Sequence, residues 1–245
     1  TNAPVKFLLV GLLLSLGAQA LADEVRLVTL EYPPYTTQSR ANGGSMIELT
    51  KRAFAVSGHT ARIDFRPWAR AQQEMRQGKY DGILLLWPEE VTAAGLLASR
   101  PLAYSELGFF VRKESPLTFS TLEQLKGQRV GVARGYDYPD SIMNAGIVPE
   151  EAVDDLANLR KLAAKRFDLV LLEHQVGIDL LRQHPELQEK ITWQGQTLAR
   201  VPLFIGFRQP APGKPDWPAL FALGMKELMS NGEYLKILQS TSANP

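Results

Sequence analysis

The residues of this chain best suited to chemistry on a small molecule are one glutamate and a group of aromatic rings, each set at the end of an apolar run. Glu173 closes Leu169-Val170-Leu171-Leu172, a run short and apolar enough to be a buried strand. Tyr32 and Tyr35 flank Pro33-Pro34, Trp87 closes Ile83-Leu84-Leu85-Leu86, and Trp68 follows Pro67 at the start of a helical pattern. A carboxyl group buried between aromatic walls can have its pKa raised enough to donate a proton near neutrality. Asp81 and Asp168 precede their strands, at the opposite end, and read as structural. His59, His174 and His184 fall in separate segments without metal-ligand spacing, so no metal site is expected. The chain contains no nucleophile elbow, phosphate loop or zinc signature, and no catalytic residue is assigned.

The segments that must hold these residues alternate between strand and helix patterns. Residues 26–30 alternate as a strand and run into the rigid Tyr32-Pro33-Pro34-Tyr35 loop. Ser45 and Glu48 form a predicted capping box for a helix with Met46, Leu49, Ala53 and Val56 on its buried face and Gly58 as its stop. Residues 62–66 suit a short strand. Pro67 suits the first turn of a helix that buries Trp68, Ala71 and Met75 and stops at Gly78. Residues 83–86 form the third strand, ending in a turn at Trp87-Pro88. This β-α-β-α-β order predicts a parallel sheet covered by helices, with ligands beyond the carboxyl ends of the strands. Those ends carry Tyr32, Tyr35, Trp68 and Trp87.

After the polar residues 112–116 the pattern restarts. Residues 129–133 read as a strand, and Arg134-Gly135-Tyr136-Asp137 as the turn into a helix ending near Gly146. Asp154 or Asp155 can cap a helix carrying Leu156, Leu159 and Ala163. The run Arg166-Phe167-Asp168-Leu169-Val170-Leu171-Leu172-Glu173 then repeats the pattern of Lys79-Tyr80-Asp81-Gly82-Ile83-Leu84-Leu85-Leu86. Residues 201–207 are strand-like. Trp217, Leu220, Phe221, Gly224 and Leu228 recur at helical spacing, and a short helix over 233–238 closes the chain. Two similar α/β lobes with short hinge strands and no flexible linker are expected.

Composition narrows the partners. Lys6, the apolar run 7–16 and the small residues up to Ala22 predict a cleaved secretory signal over 1–22, too short to span a bilayer, for which about 20 apolar residues are needed. Of 27 basic side chains the signal carries one, so the remainder balances its 26 acidic ones. A neutral chain lacks the basic excess expected of a nucleic-acid partner. Cysteine is absent, which removes disulfides, thiolate metal sites and the acylated cysteine of a lipoprotein, and points to the bacterial periplasm.

Over nearly all of the chain beyond residue 22, the sequence resembles the periplasmic solute-binding proteins of amino-acid-type ABC transporters, the extracellular solute-binding family 3. The likeness rests on Tyr32-Pro33-Pro34-Tyr35, Gly78-Lys79-Tyr80-Asp81, residues 122–132 (LEQLKGQRVGV), Arg134-Gly135, Phe167-Asp168 and Asn231-Gly232-Glu233-Tyr234, in that order. The resemblance implies a type II two-lobed fold, with lobe 1 formed by residues 23–108 plus 206–245 and lobe 2 by 109–205. It implies crossing strands near 107–111 and 203–207. By position it implies Tyr32 and Trp68 as rings over a ligand and Glu173 as the acid holding an amino group. The Gly135 and Tyr136 amides would receive a carboxylate at a helix N-terminus.

The family's arginine clamp is missing, because Leu85, Leu86 and Trp87 are followed by Thr92-Ala93-Ala94-Gly95. Arg70 and Arg134 are the candidate substitutes, and the ligand is expected to depart from a standard amino acid. The expected contact set is thus Tyr32, Tyr35, Trp68, Arg70, Trp87, Arg134, Gly135, Tyr136 and Glu173. The resemblance implies a monomer that binds a small polar solute, without a cofactor and without catalysis, for an ABC transporter permease. Two other functions share the scaffold: an enzyme similar to the cyclohexadienyl dehydratases, with Glu173 as general acid, and a stand-alone sensor domain.

Overall fold

The computed structural model describes residues 22–243, so the expected signal lies outside the described residues except for Ala22. β1 (Glu24–Thr29), α1 (Ser45–Ala55), β2 (Thr60–Phe65), α2 (Trp68–Arg76) and β3 (Gly82–Leu86) form a first series. α3 (Pro88–Ala94) and the short β4 (Leu97–Ala98) lead to the long β5 (Ala103–Arg112). β6 (Arg129–Ala133), α4 (Asp140–Met143), β7 (Val148–Ala152), α5 (Asp155–Ala163) and β8 (Leu169–Glu173) form a second series. α6 (His174–Gln183), α7 (Pro185–Gln188), β9 (Ile191–Phe207), α8 (Trp217–Ser230) and α9 (Glu233–Ala243) follow.

The two series build two sheets of the same order. In the first, β1 lies between β2 and β3, parallel to both, and β3 pairs antiparallel with β9. In the second, β6 lies between β7 and β8, parallel to both, and β8 pairs antiparallel with β5. The repeated sequence pattern therefore marks equivalent strands, β3 and β8, and every residue of both is buried. A strand covered on both faces has no solvent side to alternate with, which is why both read as unbroken apolar runs. β9 joins the sheets: it pairs with β5 from Ile191 as far as Leu203, and from Phe204 onward with β3.

The first sheet packs on α1 and α8 through Phe54, Phe207, Phe221 and Trp217, whose ring centroids lie 5.6 to 6.3 Å apart in contacting pairs. Helix α8 comes close because residue 224 is glycine: a Cβ there would stand 1.9 Å from the Ala53 carbonyl oxygen.

Four local expectations change. Ser45 is the first residue of α1 rather than its cap, and its hydroxyl has no hydrogen-bond partner. The Pro34 and Tyr35 carbonyls accept from the Ser45 and Met46 amides at 3.2 and 2.8 Å, so loop backbone does the capping, and Glu48 bonds Asn42 instead. Trp87-Pro88 opens α3 rather than a simple turn, with Pro88 where its missing N–H costs nothing. Val56 lies past the end of α1 and is 42% exposed. The helix expected straight after residue 137 begins only at Asp140 and is four residues long, because Pro139 holds the preceding backbone extended.

Candidate functional site

The carboxyl ends of the strands of both sheets face each other across the lobe boundary, and their loops bring aromatic rings together there. Tyr32 and Tyr35 come from the loop after β1, Trp68 from the first turn of α2, and Trp87 from the end of β3. Tyr136 and Tyr138 come from the turn after β6 in the opposite lobe. The Tyr136 ring enters the first lobe's group edge-on, with centroid distances of 6.3 Å to Tyr32, 6.5 Å to Trp68 and 5.6 Å to Trp87. Edge-to-face pairs at these separations match the quadrupoles of the rings. These four rings, with Leu30, Leu85 and Glu90, line a cavity of about 10 Å³.

Leu85 reaches that cavity through a distortion of β3. Its φ is +73°, and the register against β9 shifts between Leu84 and Leu86. The bulge turns Leu85 toward the rings at a backbone cost of roughly 1–2 kcal/mol for a residue other than glycine.

Glu90 was not among the residues singled out from sequence. It lies in the first turn of α3, where one carboxylate oxygen accepts from the Trp87 amide at 2.8 Å. The other accepts from the Trp68 indole N–H at 2.9 Å and from the Asp137 amide of the opposite lobe at 3.3 Å. A glutamate three residues after a residue that opens a helix is the one sequence signal that marks it. Burial pushes its carboxyl from the usual 4.5 up to about 7, against the pull of those three donors.

Glu173 caps α6, accepting from the Val176 amide at 2.6 Å. Its second oxygen accepts from the Tyr35 hydroxyl and the Glu106 amide, both at 3.3 Å. Burial pushes this carboxyl up to about 7 as well. Asp155, at the start of α5, accepts from the Tyr136 hydroxyl at 3.0 Å, while its other oxygen is buried without a hydrogen-bond partner. Burial raises its carboxyl from 3.8 to about 7. Tyr32 shares a hydrogen bond with Ser105 at 3.4 Å, and burial, then the charges of Glu173 and Asp155, push its phenol upward.

The structure thus gathers Tyr32, Trp68, Trp87 and Tyr136 on one cavity, with the Tyr35–Glu173 pair beside it. It does not bring Arg70 or Arg134 there. Arg70 pairs with the buried Glu74 at 2.8 Å and Arg134 with Glu151 at 3.5 Å, and both arginine side chains are exposed. Gly135 has a φ of +83°, and a Cβ on it would come within 3.2 Å of Ala69, so it is a point of close approach between the lobes. The Tyr136 amide faces the Ala133 carbonyl at 3.4 Å, and α4 starts four residues later, so the anion-binding helix terminus expected at Gly135 and Tyr136 is not formed. Asp81 and Asp168 hold backbone and core: Asp81 accepts from the Arg26 amide at 2.8 Å, and Asp168 pairs with the buried Arg112. Beside the cluster, a groove of about 720 Å³ borders Glu90, Gly135 and Tyr136 and has Met75, Ile83 and Leu86 on its wall.

Two equivalent α/β lobes, a strand shared by both sheets and a cluster of side chains at the facing strand ends define the two-lobed periplasmic-binding-protein fold of type II. No family model and no curated protein matches the sequence. Solved structures do match the fold. An ancestral arginine-binding protein bound to arginine superposes with a TM-score of 0.73 at 21% identity, covering 89% of this chain and 97% of that one. The substrate-binding protein of an amino acid ABC transporter gives 0.73 at 16% identity, covering 89% and 98%. An ancestral amino-acid-binding protein described as a precursor of cyclohexadienyl dehydratase gives 0.70 at 17% identity, covering 89% and 94%.

Proposed function

We propose that the protein binds a small polar solute, an amino acid or a related compound, between its lobes, and that it belongs with the periplasmic solute-binding proteins of family 3. The observation that carries this reading is the insertion of Tyr136 from one lobe among Tyr32, Trp68 and Trp87 of the other. Rings that meet only when the lobes meet give closure a way to sense what lies between them, since a ligand shifts the hinge only by its differential affinity for the closed state. The reading includes a lobe division at residues 23–108 plus 206–245 against 109–205, supported by the change of partner along β9 between Leu203 and Phe204. It also includes export by residues 1–22 and delivery of the solute to an ABC transporter permease. The transporter-linked neighbour supports that partner.

Thermal shift against amino acids, amines and small carboxylates, with solution scattering alongside, tests the proposal. A ligand at 100 times its Kd stabilises the fold by about 2.7 kcal/mol and is expected to change the spacing of the lobes. No stabilising compound in the set, together with scattering that never changes, would count against it.

The Tyr35–Glu173 contact favours a second reading. A buried carboxyl pushed up to about 7 can act as a general acid for an elimination, and one neighbour is described as the precursor of a dehydratase. Turnover of prephenate or arogenate that is abolished in Glu173→Gln would support this role, and turnover that persists in that variant would exclude it.

A further inference from the structure

The charge around the aromatic cavity narrows the solute class, an inference that rests on the binding reading above. Tyr32, Trp68, Trp87 and Tyr136 supply π faces and edges, and Glu90 is the cavity's single carboxylate. Its three hydrogen-bond donors, the Trp68 indole and the Trp87 and Asp137 amides, are all neutral. Asp155 lies behind Tyr136 and Glu173 behind Tyr35, bonded to their hydroxyls. Among the described residues, no lysine or arginine side chain is a hydrogen-bond or ion-pair partner of Glu90, Asp155 or Glu173. A ligand carboxylate placed here would face three acids and the negative faces of the rings. A cation would recover what it costs to bury Glu90, and would gain cation–π attraction from any ring whose centroid lies within about 6 Å.

We propose that the cleft takes an organic cation, an alkylammonium head held by Glu90 against the Tyr32, Trp68 and Trp87 rings, with no carboxylate beside the charge. In the closed arrangement the cavity of about 10 Å³ is too small for such a head, so the head enters when the second lobe carries Tyr136 back. The adjoining groove of about 720 Å³ offers the alkyl remainder a wall of Met75, Ile83 and Leu86, while Arg76, Glu151 and Arg208 also line it and hold its charged side. Burial has already pushed the Glu90 carboxyl up to about 7, the state of an acid short of a positive partner.

The test is calorimetric titration and thermal shift of the full chain with tetramethylammonium, n-butylammonium and choline. The neutral isostere 3,3-dimethylbutan-1-ol and the zwitterions alanine and glutamine serve as comparisons. The expected result is saturable binding of at least one cation, with 3,3-dimethylbutan-1-ol weaker than choline by roughly tenfold or more. Glu90→Gln is expected to weaken the cation by a similar factor. If that variant does not fold, the choline and isostere comparison on the unaltered chain decides alone. Zwitterions that bind where the cations do not would overturn the cation assignment and leave the binding function standing, as would equal binding of choline and its isostere. Failure of every compound would overturn the cation assignment, and the wider thermal-shift set with scattering then decides the binding reading.

Discussion

Tyr35 donates its hydroxyl to Glu173 at 3.3 Å, and this bond ties the loop after β1 to the end of β8 in the other lobe. Both partners are buried, and Glu173 keeps two amide donors without Tyr35. Tyr35→Phe is therefore expected to leave the α6 cap intact and remove only the tie between lobes. A lost hydrogen bond of this kind costs about 1 kcal/mol. The expected readout is a scattering profile shifted toward the open form with a small drop in Tm. A drop as large as that of a core truncation would mean that Tyr35 supports the fold itself.

The three raised carboxyls give stability a definite dependence on pH. Glu90 and Glu173 ordinarily titrate near 4.5 and Asp155 near 3.8, and burial lifts each to about 7 in the folded chain. The unfolded chain releases these protons first, so the folded state is favoured fully below about pH 4 and loses that advantage as pH rises through 7. Urea midpoints are expected to fall between pH 5 and pH 8. The slope is expected to shrink in Glu90→Gln, which has no charge to bury. A midpoint that rises across this interval would show that the buried acids do not govern it.

Gly224 sets the distance between α8 and α1. With the Ala53 carbonyl oxygen 1.9 Å from where a Cβ would stand, Gly224→Ala forces the helices apart, and overpacking of this kind costs about 1–3 kcal/mol. The urea midpoint is expected to fall while lobe closure is unaffected, because the contact lies within one lobe. An unchanged midpoint would mean that α8 shifts freely.

The strands of the two series were legible because β3 and β8 are buried on both faces and announce themselves as apolar runs. β7 was not, because its residues are Val-Pro-Glu-Glu-Ala and it lies at a sheet edge, where one side needs no apolar cover. The polar first half of β9 was hidden for a similar reason: residues 192–200 run alongside β5 yet stay partly exposed. In the site, ring-bearing strand ends pointed to Tyr32, Trp68 and Trp87. Glu90 was missed because a helix directly after Trp87-Pro88 was not expected, and without that helix nothing turns its carboxylate back onto Trp68. Arg70 and Arg134 drew notice as charges near the strand ends, whereas the buried Glu74 and the exposed Glu151 pair with them, and both guanidinium groups stay at the surface.

Gly135 offers the most direct control of lobe contact. Its positive φ excludes most side chains, and the 3.2 Å approach of a Cβ to Ala69 lies across the lobe boundary rather than within one lobe. The two effects separate experimentally. The backbone penalty, about 1 kcal/mol, falls on the fold in every state and should appear in the urea midpoint of Gly135→Ala. The contact with Ala69 exists only when the lobes are closed, so it should appear in scattering as a shift toward the open form. Ala69→Gly then discriminates: added to Gly135→Ala, it removes the Cβ on the other side and is expected to restore part of the closure but none of the backbone penalty. The Ala69 Cα and amide nitrogen, at 3.2 and 3.3 Å, remain in the double variant, so closure that does not recover at all would place the obstruction on that backbone rather than on the Ala69 Cβ.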